Sequence, residues 1–237
     1  MPSEQDRVDQ LLAVYAAPDA SAAELLCDRH PHDAVAFTVV EADLSATDLT
    51  YGQLRAESAR FAAALAGLGV GPGDAVAVLM GKSAELVVAL LGIWRRGAVH
   101  VPLFTAFATP AIALRLTASG AKVVVTDADQ RGKLAPGPDL PADAPWRVVV
   151  VDGDPEEGQL SFRELLATHS PDDPAGAAVA VSGDGDLVLL FTSGTTGAPK
   201  GVPVPLRALA AFVGYVEDGL DVSADDCLLY TSDAADE

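Results

Sequence analysis

The segment of the chain best equipped for chemistry spans residues 192–202, where hydroxyl side chains are interspersed with glycines and a lysine follows. Four hydroxyls within five residues, together with free backbone N–H groups, can surround the oxygens of a polyphosphate. The glycines allow a tight turn and a close approach of backbone to ligand. Lys200 adds a positive charge on a flexible stem. These residue types are the ones that a polyphosphate-binding loop requires.

Other known phosphate loops fit this segment less well. A Walker A loop needs its lysine between a glycine and a serine or threonine, but here Pro199 precedes Lys200 and Gly201 follows it. The dinucleotide-binding pattern G-x-G-x-x-G is absent from the segment. Ser193 does not fit an esterase nucleophile, because that turn needs a glycine two positions earlier, where Phe191 stands. A flexible turn without a ligand is the alternative for a loop of this composition.

The elements around the segment are predicted from apolar periodicity, β-branched runs and helix caps. A strand, Asp186–Phe191, leads directly into it. Further strands are predicted at Val35–Val40, Ala75–Met80, Val99–Leu103, Lys122–Thr126 and Arg147–Val151. Helices are predicted over residues 5–16, after a capping box of Thr50 and Gln53, over Ala84–Arg96 behind the cap Ser83, after the cap Thr109, and after the cap Ser161. This alternation predicts an α/β fold, one unit with a largely parallel sheet flanked by helices.

Several local features of the sequence lead to specific structural predictions. Residues 41–48 are predicted to form a polar connection, and residues 127–146 and 168–186 to form surface loops. Pro102 is expected at the edge of its own strand, because a proline cannot donate to a β-ladder. Arg95 and Arg96 are interpreted as charges at the negative end of their helix. His100 lies in an apolar strand and is predicted to be a core or pocket-lining histidine.

The composition excludes several classes of protein. Apolar residues make up 50% of the chain and charged residues 21%, unlike an intrinsically disordered sequence. The net charge of −19 disfavours binding to nucleic acid or to an anionic membrane surface. The longest apolar run is too short to span a bilayer, the first ten residues lack an apolar signal segment, and Cys27 and Cys227 form no zinc-binding pair. These features predict a cytoplasmic protein with no metal site built from its own side chains.

The segment Phe191–Val202 closely resembles the phosphate-binding signature of the adenylate-forming superfamily, which includes acyl-CoA synthetases, firefly luciferase and peptide-synthetase adenylation domains. Two earlier stretches, Leu49–Leu54 and Gly97–Phe104, resemble blocks that precede this signature in the family. The stretch Pro110–Val124 is similar to the acetyl- and medium-chain acyl-CoA synthetases. The resemblance runs over residues 33–228 in the expected order.

The resemblance implies an AMP-forming acid–thiol ligase of fatty acid metabolism. In such a ligase a carboxylate attacks the α-phosphorus of ATP, and the resulting acyl adenylate passes its acyl group to a thiol, here that of CoA. The loop would hold the β- and γ-phosphates together with Mg²⁺, through Thr192, Ser193, Gly194, Thr195, Thr196, Gly197 and Lys200. By the same resemblance Arg131 is a candidate for binding the nucleotide end of CoA, the alternative being a solvated loop charge.

The resemblance also implies that part of the family's machinery lies outside this chain. The blocks that bind adenine and ribose, and the lysine that activates the carboxylate, follow the signature in family members and are not found here. Residues 1–228 are therefore interpreted as the N-terminal portion of an adenylation domain, inactive alone, and residues 229–237 as an anomalous, non-native tail. The alternatives are a peptide-synthetase adenylation domain, from whose usual pattern Phe104–Phe107 departs, and a non-catalytic nucleotide-binding module.

Overall fold

A computed structural model describes residues 4–41, 43–192, 199–223 and 226 of the chain. Nine strands lie within these residues: β1 Val35–Val40, β2 Ala46–Thr50, β3 Ala75–Leu79, β4 Val99–Pro102, β5 Val123–Thr126, β6 Arg147–Val150, β7 Leu160–Ser161, β8 Asp186–Thr192 and β9 Lys200–Pro205. The α-helices of the same part of the chain are α1 Glu4–Tyr15, α2 Tyr51–Gly67, α3 Ala84–Arg95, α4 Thr109–Ser119, α5 Ala128–Arg131, α6 Phe162–Ala167 and α7 Ala208–Gly214.

Seven of the described strands form one sheet in the order β7-β6-β5-β3-β4-β8-β9. Every neighbouring pair in it is parallel except β8 and β9, which are antiparallel. The α/β fold with a largely parallel sheet is therefore confirmed. Because parallel strands end at the same side, the carboxyl ends of β3, β4, β5, β6 and β8 define one edge of the sheet, called here the carboxyl edge.

Helices cover both faces of this sheet, and the alternation of side chains along β3 shows how. Val76 lies in one buried cluster together with Phe61 of α2, and α3 packs into the same cluster. Ala77 faces the opposite cluster, which Ile112 of α4 closes. Successive residues of a strand point to opposite faces, so a strand covered on both sides must be apolar at every position, as β3 is.

The predicted helix starts are confirmed where a side chain caps the helix. Thr50 and Gln53 form a complete capping box at α2, and Ser83 accepts a hydrogen bond from the Leu86 N–H at α3. Ser161 caps α6 in the same way. The prediction for α4 is wrong by one residue, because the helix begins at Thr109 and its N-cap is Ala108, whose side chain cannot cap. Among the described residues no helix combines the length and apolar character that crossing a membrane requires.

The connection predicted over residues 41–48 is wrong in its second half, where β2 pairs with β1 as an antiparallel hairpin outside the main sheet. Most of β2 is exposed, so its sequence shows no buried alternation. The stretch 127–146 is likewise more structured than a surface loop. It contains α5, and it buries Leu134, Leu140 and Trp146 in the α4-side cluster.

Pro102 is the last residue of β4, at the edge of its own strand as predicted, and β4 is an interior strand of the sheet. It lies opposite Val78 of β3. The ladder tolerates the missing donor because the next residue, Leu103, donates its N–H to the Val78 carbonyl over 2.9 Å. An interior strand can therefore end in proline when the hydrogen bond at that point belongs to its neighbour.

Arg95 lies at the end of α3 as expected, but it is buried and paired rather than solvated. Its side chain is 3% exposed and makes a two-pronged ion pair with Asp28, at 2.8 and 2.5 Å. Its Nε also donates to the Ser58 hydroxyl of α2 over 3.1 Å. Arg95 therefore ties the short helical turn Glu24–Asp28 to both α2 and α3. Arg96 remains at the helix end, where its Nε donates to the Val70 carbonyl.

Candidate functional site

The two strands that flank the predicted phosphate loop form a hairpin at the carboxyl edge of the sheet. Thr192 is the last residue of β8 and Lys200 the first of β9, and the antiparallel register places them directly opposite each other. Side chains at opposite positions share a face and lie within contact distance. The structure therefore brings these two predicted site residues together. The other five, Ser193, Gly194, Thr195, Thr196 and Gly197, lie outside the described residues.

The hairpin occupies the position at which sheets of this kind bind ligands. β8 runs parallel to β4, so its Thr192 end lies at the carboxyl edge with the ends of β3, β5 and β6. In open α/β sheets, ligands bind in the crevice outside the carboxyl ends of the strands. The predicted loop is thus carried on the edge of the sheet that is suited to a ligand.

The charge on this hairpin is available to an anion. Lys200 is exposed and, within the described part of the chain, forms no ion pair. Thr192 is exposed beside it, with its hydroxyl on the same face of the hairpin. In a chain with a net charge of −19, an uncompensated ammonium next to a hydroxyl is a local attraction for a polyphosphate.

The opposite face of the hairpin is packed against the body of the protein. Phe191 lies across from Gly201, and a Cβ added at Gly201 would stand 3.1 Å from the Leu189 side chain and 3.6 Å from the Phe191 ring. Leu189 and Phe191 pack against the buried cluster on the α4 side of the sheet. The glycine of the signature therefore has a packing role here, since its lack of a side chain lets two apolar residues cover β9.

An arginine that the sequence analysis did not single out lies beneath this hairpin. The guanidinium carbon of Arg115 on α4 is 4.1 Å from the centre of the Phe107 ring and 5.8 Å from that of Phe191. Phe107 in turn meets Phe104 edge-on, with ring centres 5.3 Å apart. In sequence Arg115 resembles an ordinary solvated helix charge, and only the fold brings it to a ring 76 positions away. The spacing of residues therefore held no signal for it.

Side-chain hydrogen bonds to the backbone join the loops along the carboxyl edge. Asp127, after β5, accepts from the N–H of Gly81, after β3, over 2.7 Å. Asp152, after β6, accepts from the N–H of Ala128 over 2.7 Å. The ammonium of Lys133 donates to the Thr105 carbonyl, after β4. These bonds connect four successive crossovers, so the edge that carries the hairpin is held as one surface.

Arg131, the candidate CoA contact, lies at the same edge but not at the hairpin. It lies on α5, which follows β5, and β5 is three strand spacings from β8, or about 14 Å. Its guanidinium donates to the Asp154 carbonyl over 2.7 Å and lies 3.3 Å from a carboxylate oxygen of Glu156. A ligand that used Arg131 would therefore compete with Glu156 for its charge.

His100 lies on β4 between Val76 of β3 and Val188 of β8. Its ring meets Trp94 of α3 edge-on, with ring centres 6.3 Å apart. Burial lowers the pKa of His100 to about 4, so the ring is neutral at pH 7. The half-buried ring fits the predicted core or pocket-lining histidine. The described residues also contain no cluster of three or more His, Cys, Asp or Glu side chains placed to hold a metal ion.

Comparisons with known proteins agree with this geometry. A family model described as "AMP-binding enzyme" matches residues 24–235. The long-chain-fatty-acid–CoA ligase FadD13 of Mycobacterium tuberculosis is 39% identical over 155 residues, which are 65% of this chain and 29% of the relative. An acetyl-coenzyme A synthetase of Rubrobacter xylanophilus is 35% identical over 200 residues, covering 78% of this chain and 31% of the relative.

The fold is similar to that of a solved acyl-CoA synthetase. The crystal structure of a Brucella canis acyl-CoA synthetase superposes with a TM-score of 0.82 at 38% identity, covering 95% of this chain and 42% of that one. The chain thus spans about 30% of the length of the two curated relatives above. The sheet, the hairpin at its carboxyl edge and the match over residues 24–235 together establish that the chain belongs to the AMP-binding enzyme family, the adenylate-forming superfamily.

Proposed function

We propose that this chain supplies the ATP-phosphate-binding part of an AMP-forming ligase that activates a carboxylic acid and transfers the acyl group to CoA. The observation that carries the proposal is the placement of Thr192 directly opposite Lys200 at the carboxyl edge of the sheet, where Lys200 is exposed and has no ion-pair partner among the described residues. Membership of the AMP-binding family and the acyl-CoA ligase relatives support the same reaction. A panel of carboxylic acids tested for pyrophosphate exchange would identify the acid.

The reaction has two steps. In the first, a carboxylate oxygen attacks the α-phosphorus of ATP, the bond from that phosphorus to the bridging oxygen breaks, and pyrophosphate leaves. In the second, the sulfur of CoA attacks the acyl carbon and AMP leaves. The hairpin would contribute to the first step by holding the β- and γ-phosphates in line and by stabilising the charge that develops on pyrophosphate. Lys200 would neutralise part of that charge.

Mg²⁺ fits this site through oxygen donors rather than through a protein carboxylate cage. The ion prefers oxygen ligands and commonly binds substrate phosphates together with one or two protein groups. The exposed hydroxyl of Thr192 is such a donor at the carboxyl edge. Bound there with ATP, Mg²⁺ would neutralise phosphate charge, while Thr192 and Lys200 orient the triphosphate.

The first experiment tests the loop directly. Replacing Thr195 and Thr196 by alanine together removes two hydroxyls from the segment without touching the strands that hold it. We expect the dissociation constant for Mg–ATP, measured by equilibrium dialysis on the 237-residue chain, to rise about tenfold or more, because each lost charge-assisted hydrogen bond weakens phosphate binding. The far-ultraviolet circular dichroism spectrum should stay unchanged.

A matched control removes the same number of hydroxyls elsewhere. Thr47 on β2 and Thr117 on α4 are both exposed and lie away from the carboxyl edge. The double variant Thr47→Ala, Thr117→Ala should bind ATP as the unaltered chain does. Equal ATP affinity in the Thr195, Thr196 variant and in the unaltered chain would refute the role of the loop.

The second experiment identifies the acid and the acceptor. The chain spans about 30% of its relatives' length. We therefore expect that it can bind ATP by itself but needs the remaining family blocks for catalysis. A polypeptide that carries this chain together with the remaining family blocks should catalyse acid-dependent exchange of pyrophosphate into ATP. The acids to be compared are a panel of short, medium and long fatty acids. Exchange that depends on amino acids, with no thioester formed on CoA, would instead support the peptide-synthetase alternative.

A further inference from the structure

We infer that Arg115 is a positioning residue for the phosphate-binding hairpin, acting through Phe107 and Phe191 rather than by touching ATP. The inference rests on the proposed function, since its consequence is a loss of ATP affinity. It assigns a role to a residue outside the glycine- and hydroxyl-rich segment, on helix α4.

The stack is built around a guanidinium whose charge no carboxylate of the described residues neutralises. Arg115 is half-buried, with its Nη1 donating to the Ala111 carbonyl one turn earlier over 2.8 Å. Its carbon Cζ lies 4.1 Å from the centre of the Phe107 ring and 5.8 Å from that of Phe191. A planar cation held against a ring face at this distance is attracted by the ring electrons. Arg115 therefore lies within cation–π distance of both rings.

The strand end is where this contact matters for the site. Phe191 is the residue immediately before Thr192, and successive residues of β8 point to opposite faces. Fixing the Phe191 ring on the α4 side of the sheet therefore fixes the direction in which Thr192 projects on the other side. Since Thr192 lies opposite Lys200, the same contact also sets the position of the ammonium at the base of the loop.

The loop after β4 forms the other half of the clamp. Phe107 lies in this loop, and the neighbouring Thr105 carbonyl accepts a hydrogen bond from Lys133. The loop is thus fastened from one side by Lys133 and from the other by Arg115. Through Arg115 the end of β8 is linked to a loop that is itself tied to the rest of the carboxyl edge. The hairpin base is then positioned by the whole edge and not by β8 alone.

The test is a set of variants assayed for Mg–ATP and inorganic pyrophosphate binding to the full chain. Arg115→Met keeps an unbranched apolar stem but loses the planar guanidinium and its charge, and we expect its dissociation constants to rise about tenfold. Arg115→Lys keeps the charge but not the planar stack, which an ammonium cannot reproduce, so it should also bind more weakly. Arg115→Lys also keeps the experiment informative if the methionine variant folds poorly.

The matched control is Arg96→Met. Arg96 likewise donates one hydrogen bond to a backbone carbonyl, that of Val70, but it lies at the opposite end of the strands. Both methionine variants should lower the thermal midpoint by similar amounts, whereas only the Arg115 variant should weaken nucleotide binding. A purely structural role for Arg115 would lower the midpoint and leave the dissociation constant for ATP unchanged in the folded fraction.

A double-variant cycle separates action through the ring from any other action. Phe191→Leu removes the ring that Arg115 contacts, so adding Arg115→Met to it should weaken ATP binding little further. Additive losses would overturn the inference while leaving the proposed function intact, as would an Arg115→Met chain that binds ATP normally. If the unaltered chain binds neither ATP nor pyrophosphate, the proposed function fails and the inference falls with it.

Discussion

At the scale of single residues, the site depends on a local reversal of charge. The chain has 34 acidic and 15 basic residues, so its average field repels a triphosphate. Lys200 is exposed and has no carboxylate partner among the described residues. By contrast, Arg131 forms an ion pair with Glu156, and Arg95 forms one with Asp28. Which cations are neutralised inside the protein therefore decides where an anion can bind. Composition alone does not contain that distinction.

The half-buried position of His100 leads to a prediction about pH. Burial lowers its pKa in the folded chain to about 4, against about 6.5 in the unfolded chain. Between these values the unfolded chain binds more protons than the folded chain, so the imidazole makes stability fall as the pH drops from 6.5 towards 4. We expect the unaltered chain to lose on the order of 1–2 kcal/mol more stability between pH 7.5 and pH 5 than His100→Gln does.

Urea unfolding at both pH values measures this difference. Carboxylates titrate in both proteins and cancel in the comparison, which leaves the contribution of the imidazole. Parallel pH dependence in the two proteins would mean that water reaches the His100 ring in the folded chain.

At the scale of elements, the contact between α2 and α3 depends on the absence of one side chain. A Cβ added at Gly92 of α3 would lie 2.7 Å from the Phe61 ring and 3.1 Å from the Ser58 carbonyl, both on α2. Since backbone cannot move aside cheaply, Gly92→Ala should lower the free energy of unfolding by about 1–3 kcal/mol despite the better helix propensity of alanine. Chemical denaturation measures the change.

Gly67 provides the control for this prediction. It is the last residue of α2, and nothing lies within 4 Å of a Cβ added there. Gly67→Ala should leave stability unchanged or raise it slightly, because only the propensity effect remains. If both variants behaved alike, the close approach of the two helices at Gly92 would not be limiting.

The elements that sequence predicted well are those whose signals are local. The caps Ser83 and Thr50 lie within three residues of the N–H groups they satisfy, and β1 coincides with the apolar run Val35–Val40. The elements that it missed depend on remote partners. β9 carries prolines and a glycine and looks like a loop, and it is a strand only because β8 pairs with it along its whole length.

The same distinction applies to the candidate site. The phosphate segment is contiguous, so its residue types could be recognised together, and the structure then placed its two described ends opposite each other. Arg115 could not be found in this way because Phe191 lies 76 positions away and the contact exists only after α4 has packed on the sheet. The ion pair between Asp28 and Arg95, which are 67 positions apart, could not be predicted from the sequence for the same reason.

At the scale of the whole molecule, β9 ends the sheet on one side within the described residues, and it is protected against pairing with another chain. Pro203 and Pro205 lie two residues apart and therefore face the same side of the strand. Neither can donate a hydrogen bond, and because the next residue, Leu206, donates towards the β8 side, to the Gly185 carbonyl, the two prolines face the open side. An edge without donors at alternate positions is a poor template for a further strand.

Restoring those donors should promote association. The double variant Pro203→Val, Pro205→Val supplies two N–H groups and raises β-propensity, so we expect larger, concentration-dependent species in size-exclusion chromatography with light scattering. Replacing two exposed loop prolines, Pro136 and Pro141, by valine makes the matched comparison and should leave the mass distribution unchanged. Identical elution of both variants would show that the prolines do not protect the edge.

The indole of Trp94 has a consequence for how this molecule can be followed in solution. Its Nε1 donates to the Leu187 carbonyl of β8 over 3.0 Å, so a fluorophore on α3 is bonded to the strand that ends at the hairpin. The chain has only one other tryptophan, Trp146, which is buried in the layer on the opposite face of the sheet. A chain with Trp146 replaced would therefore emit from a single indole whose wavelength reports whether β8 is docked.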